Sequence, residues 1–226
     1  MKILTDRTDL ESFWKRLRQA QQALLLLDFD GTLAPFVADP AEARLYPGVA
    51  VLLQKLMLLK NNRLVIVSGR EINSLSACLE LETLPELWGC HGWQRCLPGG
   101  RALQRRLPGH IAEILERAAE LARDSGYAAQ LEVKPVSLAL HWRGLEPEAA
   151  DVMREQLGGC WQQLANENGL QLTAFDGGLE LRGSELDKGT AVTQLLGELD
   201  ENDSVAYLGD DLTDEDAFAA LAERGL

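Results

Sequence analysis

The sequence predicts an α/β fold, a doubly wound parallel sheet with a smaller α+β unit inserted into it, and three observations predict it. Short runs that are apolar on both faces, Leu24 to Leu27, Leu64 to Val67 and Val205 to Leu208, suit strands of a parallel sheet covered by helices on both sides. Each run ends in a polar loop and then a helical pattern, as at Ser68-Gly69-Arg70 and Gly209-Asp210-Asp211. Between Trp93 and Glu185 the pattern changes to alternating segments, the mark of strands with one buried face. At 226 residues, 46% of them hydrophobic, the chain has the material to bury such a core.

In chain order, Leu10 to Gln22 carries Phe13, Trp14 and Leu17 among charges and predicts an amphipathic helix leading into the first strand. The three apolar runs then supply the parallel sheet. In the alternating region, strands are expected at Gln130 to Lys134, Ser137 to Arg143, Leu170 to Phe175 and Gly178 to Arg182. Short breaks at Pro135-Val136 and Asp176-Gly177 fold them into two hairpins. Amphipathic helices are expected at about Pro108 to Ser125 and Glu146 to Asn168, and a further hairpin, Gln94 to Arg106 around Pro98-Gly99-Gly100, at the hinge. The expected division is a Rossmann-like core of residues 1–92 and 184–226 and an inserted α+β cap domain of residues 93–183.

Bulk properties narrow the function. A net charge of -13, from 22 Lys and Arg against 35 Asp and Glu, repels polyanions, so nucleic acid is not an expected partner. Four cysteines, Cys78, Cys90, Cys96 and Cys160, have neither zinc-site spacing nor the density of a disulfide scaffold, and they read as reduced thiols. The apolar run Ala23 to Leu27 meets Asp28 too soon for a signal core or a membrane span. A monomeric, cytoplasmic protein with no membrane partner is expected.

The chemistry is concentrated at strand ends. Phosphate ester hydrolysis needs a nucleophile, a proton donor for the leaving oxygen, and positive charge against the transferring phosphoryl group. Asp28 and Asp30 leave a strand two residues apart, and Gly31 allows the sharp exit, so one carboxylate can attack while the other protonates. Crowded carboxylates call for a hard divalent cation, and Asp210, with Asp211 and Asp214 behind it, is the natural further ligand source. Thr32 and Ser68 offer hydroxyls at loop positions, and Lys188, at a helix start, offers a compact charge for phosphate. Ser68 could equally cap the helix that follows it.

In order along the chain, Asp28-Phe29-Asp30-Gly31-Thr32, Ser68, Lys188 and the loop Gly209 to Glu215 resemble the four motifs of the haloacid dehalogenase superfamily. The place of the insertion resembles its C2-type cap. Within that superfamily the chain is most similar to the trehalose-6-phosphate phosphatase family, through Leu33-Ala34-Pro35 with Pro40, Ser68-Gly69-Arg70, His91-Gly92, Leu138 to Arg143 and the acidic loop. The resemblance implies hydrolysis of trehalose 6-phosphate through an aspartyl-phosphate, with Asp28 as nucleophile and Asp30 as acid and base. Thr32, Ser68 and Lys188 complete the implied catalytic set. Magnesium is the implied cofactor, held by Asp28, the Asp30 carbonyl and Asp210, with Asp211 and Asp214 acting from behind. The implied partner is a small-molecule sugar phosphate, contacted by Arg70, His91, Lys134, His141, Arg143 and Glu180, with Glu180 as hydroxyl acceptor.

Two features depart from the family pattern. Where members carry lysine and proline after the cap glutamate, this chain reads Leu181-Arg182-Gly183. It also stops at Leu226, where members continue through another strand and helix, so either the chain is shortened or its core lacks an element that members use. Other sugar phosphates, such as sucrose 6-phosphate, a glucosylglycerol phosphate or a mannosyl-glycerate phosphate, would suit the same reaction, and an inactive sugar-sensing relative is a further alternative. A phospho-accepting receiver gathers similar groups, but it carries its aspartate on a middle strand and has no large insertion. His91, His110 and His141 have no metal-ligand spacing, and Cys90 reads as a buried thiol. Alternation along Ser137 to Arg143 leaves open whether His141 or Trp142 faces the cleft.

Overall fold

The structure, a computed structural model, describes residues 9–37, 39–104, 107–175, 177–184 and 187–223. Its larger layer is built on β1 (Ala23–Leu27), whose leucines are apolar on both faces because both faces are covered. Parallel neighbours flank it: β10 (Ser204–Leu208) pairs Ala23 with Ser204, and β2 (Asn62–Val67) pairs Ala23 with Asn62. β3 (Glu86–Gly89) continues the parallel set beside β2. Alternation divides each strand between two cores. Leu64 and Ile66 pack with Leu53 of α2 (Val49–Met57) and Leu75 of α3 (Ile72–Leu79). Leu24, Leu26, Val65 and Val67 pack on the other face with Val192 and Leu195 of α6 (Lys188–Leu196) and Ala217 of α7 (Glu215–Glu223). Each fully buried leucine of this kind contributes about 1.5–3 kcal/mol. This is the doubly wound arrangement.

The leading helix α1 (Leu10–Gln19) is capped by Asp9, whose side chain accepts from the Ser12 N–H. It ends before Gln22 because Gln21 and Gln22 donate their N–H groups to Asn202 and Asp203, which turns the chain into the sheet. The Gln94 to Arg106 hairpin sits in a different place from the one expected. Its strands β4 (Gln94–Cys96) and β5 (Ala102–Gln104) extend the larger sheet, antiparallel to β3, in the order β10-β1-β2-β3-β4-β5. They are sheet, not hinge; Arg106 lies outside the described residues.

The inserted elements form a second layer. β6 (Leu131–Val133) and β7 (Ser137–His141) make one antiparallel hairpin, β8 (Leu170–Phe175) and β9 (Gly178–Gly183) another. Asp176, in the second turn, is outside the described residues. The hairpins join through β7 and β9, with Ser137 opposite Arg182 and Ala139 opposite Glu180. Helices α4 (Gly109–Asp124) and α5 (Pro147–Asn168) cover one face of this sheet, where Leu138, Leu140, Leu181 and Trp161 form a core separate from those of the larger layer. Ser137, Ala139 and His141 therefore point to the opposite face, while Trp142 packs against that core. His141 is the cleft residue. β7 stops at His141, and Trp142 donates its N–H to the Gly177 carbonyl at the strand end. Among the described residues no helix is long and apolar enough to cross a membrane.

Candidate active site

Parallel pairing of β10, β1 and β2 brings their carboxyl ends together, and with them Asp210, Asp28 and Ser68. Asp28 is anchored by its N–H to the Leu208 carbonyl at 2.9 Å. The chain then turns sharply, with Leu33 and Ala34 both donating to the Phe29 carbonyl. Gly31 is required there on two counts. Its φ is +89°, and a Cβ would lie 2.1 Å from Oδ2 of Asp210.

Lys188 opens α6 behind this turn, where the Asp187 side chain caps the helix by accepting from Thr190. Its ammonium is 3% exposed and donates to Asp28 Oδ1 at 2.7 Å and Asp214 Oδ1 at 2.8 Å. Burial pushes the Asp28 carboxyl up to about 7, against the pull of Lys188. Burial also draws the Lys188 ammonium down, but Asp28 and Asp214 outweigh it and hold Lys188 charged above its ordinary range. Oδ2 of Asp28 is buried and has no hydrogen-bond partner.

That orphaned oxygen bears on the metal. Carboxylate oxygens of Asp28, Asp210 and Asp214 lie within 4.8 Å of one another. Asp214, however, is fully buried and already accepts four donors: Lys188 and the Tyr207 hydroxyl at Oδ1, and the backbone N–H groups of Asp210 and Asp211 at Oδ2. Its lone pairs are taken, so its place is to hold Lys188 and the acidic loop. Asp210 accepts from the Thr32 hydroxyl at 3.0 Å through Oδ1, which leaves its other oxygen over Gly31. A hard divalent cation, which takes carboxylate oxygens as ligands, would fit between Asp28 and Asp210. Asp211 instead caps the short turn Leu212–Asp214 by accepting from Thr213.

Two expected roles shift with the geometry. Arg70 was expected to contact substrate, but its guanidinium clamps Asp30 with paired bonds of 2.7 and 2.6 Å and also donates to the Pro40 carbonyl. Its donors are engaged within the chain. Both oxygens of the Asp30 carboxylate are thus engaged by Arg70. Ser68, 1% exposed, accepts from the Arg70 N–H at 3.1 Å; it does not cap α3, whose N-cap residue is Glu71.

The polar face of the insert lies against this end of the sheet. Glu180 accepts from Lys134 and Ser137 through one oxygen, at 3.0 and 2.8 Å, and its other oxygen lies 3.0 Å from Nε2 of His91. Burial alone would raise the Glu180 carboxyl, yet His91 and Lys134 hold it well below the usual carboxylate range. Burial lowers His91. His91 reaches the insert because Cys90 and His91 both adopt left-handed backbone, at φ 48° and 54°, ahead of Gly92 at 97°. Such non-glycine conformations cost on the order of 1 kcal/mol each and persist where surrounding contacts enforce them. The Cys90 thiol is buried, bonded to Gln94 and pushed up to about 12, so it is no nucleophile.

His141 and Arg143 are drawn together on the rim. His141 Nε2 lies 2.8 Å from Glu132, and Arg143 donates to the Val37 carbonyl of the larger layer at 2.7 Å. Both line a cavity of about 230 Å³ with Gln130, Glu132 and Leu145. The Asp28 cluster lies outside that cavity. Sequence reasoning missed Glu132, Ser137 and Tyr207. The alternation that placed Lys134 and His141 on strands could have flagged Glu132 and Ser137, whereas nothing local marks Tyr207.

Comparison with known proteins agrees with this geometry. Residues 26–225 match the trehalose-phosphatase family. The trehalose-phosphate phosphatase of Mycobacterium tuberculosis is 31% identical over 217 residues, covering 92% of this chain and 53% of the relative. That of Mycobacterium marinum is 31% identical over 212 residues, covering 89% and 52%. The chain thus spans about half the length of the curated relatives it matches. Among solved structures, the C-terminal domain of Candida albicans trehalose-6-phosphate phosphatase superposes with a TM-score of 0.81 at 25% identity, covering 99% of this chain and 81% of that one. A haloacid dehalogenase-like hydrolase from Bacillus subtilis shares the fold, at a TM-score of 0.60 and 16% identity over 87% of this chain and 86% of its own. With its motifs in order, its strand ends converging on Asp28 and nearly its whole length matched, the chain belongs to the trehalose-phosphatase family.

Proposed function

We propose that this chain is a magnesium-dependent phosphomonoester hydrolase that converts trehalose 6-phosphate to trehalose and phosphate. The observation that carries the reading is the buried contact of Lys188 with Asp28, which leaves the other Asp28 oxygen without a partner at the mouth of the strand ends. The Asp28 carboxylate attacks phosphorus as the bond to the sugar oxygen breaks, and Asp30 gives that oxygen its proton. For this the Asp30 side chain turns from Arg70 toward the leaving group, a change of rotamer. Asp30 then takes a proton from water, which attacks the phosphorylated Asp28 and releases phosphate. Lys188 stays fixed throughout and offers charge without reorganising. Asp28, Asp210 and the Asp30 carbonyl would hold magnesium, which when bound supplies positive charge against the phosphoryl oxygens.

In this reading the insert acts as a cap, with Glu180, Lys134, His141 and Arg143 forming the wall against the sugar and excluding bulk water on closure. The four free thiols fit a reducing, cytoplasmic setting. The test is phosphate release. Asp28→Asn should keep the fold and lose about a thousandfold or more of turnover, and chelation of magnesium should do the same reversibly. Near wild-type release by that variant would remove Asp28 as nucleophile. Trehalose 6-phosphate turned over no faster than glucose 6-phosphate would overturn the disaccharide reading.

A further inference from the structure

The turn that carries His91 is tied to two parts of the protein at once. Its backbone belongs to the phosphate end of the sheet: Cys90 donates its N–H to the Arg70 carbonyl at 2.8 Å, and His91 to the Ser68 carbonyl at 3.1 Å. Its side chain belongs to the insert, through Nε2 and Glu180, with both side chains 9% exposed. The packing admits no slack. A Cβ on Gly69 would lie 2.6 Å from the His91 ring, and a Cβ on Gly89 would lie 2.7 Å from the Arg70 carbonyl. The side-chain hydrogen bond from Arg143 to the Val37 carbonyl, which also spans the layers, is exposed at the rim.

We infer that His91 is a positioning residue that couples the insert to the Ser68-Gly69-Arg70 loop, so that engaging Glu180 sets the phosphate loop and the sugar wall together. The inference rests on the reading of this cleft as a sugar-phosphate site. The physical ground is the left-handed backbone at Cys90 and His91. Two non-glycine residues hold that conformation only while contacts on both sides enforce it, and here one side is the loop and the other is Glu180. Released from Glu180, the turn relaxes and takes the Ser68 and Arg70 carbonyls with it. Because Arg70 clamps Asp30, the same movement reaches the acid and base.

The test is hydrogen exchange on the whole chain without substrate, comparing wild type with His91→Ala, His91→Gln, Glu180→Gln and the double variant His91→Ala/Glu180→Gln. Coupling predicts that Glu180→Gln alone, a change in the insert, speeds exchange of the Cys90 and His91 amides, which donate to the Arg70 and Ser68 carbonyls, about tenfold, and that the double variant adds little to either single change. His91→Gln, which keeps a donor, should restore protection that His91→Ala loses. In turnover, His91→Ala should raise KM for trehalose 6-phosphate more than it lowers kcat. Unchanged exchange at Cys90 and His91 in Glu180→Gln, or additive effects in the double variant, would overturn the inference. Should His91→Ala fail to fold, Glu180→Gln reads the same coupling from the other side. Failure of the substrate reading shows separately, as wild type that releases no phosphate from trehalose 6-phosphate.

Discussion

Asp28 is asked to be buried and charged at once. Its compensating cation, Lys188, is shared with Asp214, and burial therefore keeps the Asp28 carboxyl near 7, above its ordinary 3.8. A carboxyl raised in the folded state favours its protonated form. The stabilisation it contributes is full below about 3.8 and is lost as pH rises through about 7. Metal-free protein should therefore lose stability between pH 5 and pH 8, by on the order of 2 kcal/mol more than Asp28→Asn does. Thermal melts in chelator at the two pH values check this. If wild type and variant shift in parallel, the burial of Asp28 is not what sets its protonation. Added magnesium should shrink the difference by giving the ionised form a second countercharge.

At the scale of elements, the strand ends opposite the site are held by charge. Glu86, which opens β3 and is 2% exposed, accepts from Arg63 of β2, from Arg95 of β4 and from the Trp88 indole. Glu198, beyond α6, accepts from Nη2 of Arg63 and from Nη1 and Nη2 of Arg95, and the Arg95 guanidinium lies over the Trp88 ring. This network joins three strands and explains how a strand can begin on a buried glutamate. Glu86→Ala would leave two guanidinium groups with one exposed partner, and it should destabilise the protein by about 3–5 kcal/mol. Because β2 and β3 run from this end toward Ser68, the loss should appear as a lower melting temperature, with KM and kcat unchanged at temperatures where the variant is folded. A kinetic change without a melting change would mean that the network serves the site instead.

Over the whole molecule, the insert's core of Trp161, Leu138, Leu140 and Leu181 is distinct from the cores flanking β1. Among the described residues, a small cluster of Cys90, Trp93 and Val136 packs apart from these cores. Trp161 is fully buried and donates its indole N–H to the Ala118 carbonyl, which fixes α5 on α4. Trp161→Ala should remove about 3–5 kcal/mol. Separate cores predict where that loss falls: exchange should quicken in β7 and β9 while β1 and β2 keep their protection. Loss of protection across both sheets together would show that the two layers unfold as one unit, against a cap that moves independently.

Asp28, Asp30, Ser68, Lys188 and Asp210 were legible because their chemistry is local: a charged or hydroxyl residue directly after an apolar run, or at a helix start, sits at the end of its strand whatever the rest of the chain does. The parallel core was legible for the same reason, since Leu24 to Leu27 and Leu64 to Val67 can be apolar on both faces only where both are covered. The partners of polar groups were not. That Arg70 clamps Asp30 and that His91 meets Glu180 depend on residues 40 and 89 apart in the chain arriving within about 3 Å. β3 escaped notice because its first residue is a glutamate whose burial only Arg63 and Arg95 make tolerable, and the β4–β5 hairpin could not reveal which sheet it would extend. Local sequence was enough to place the residues that stand at strand ends and helix starts. Only the tertiary structure decided which of those residues hold one another in place, because a hydrogen bond is directional and short-ranged and its partner is a property of the fold.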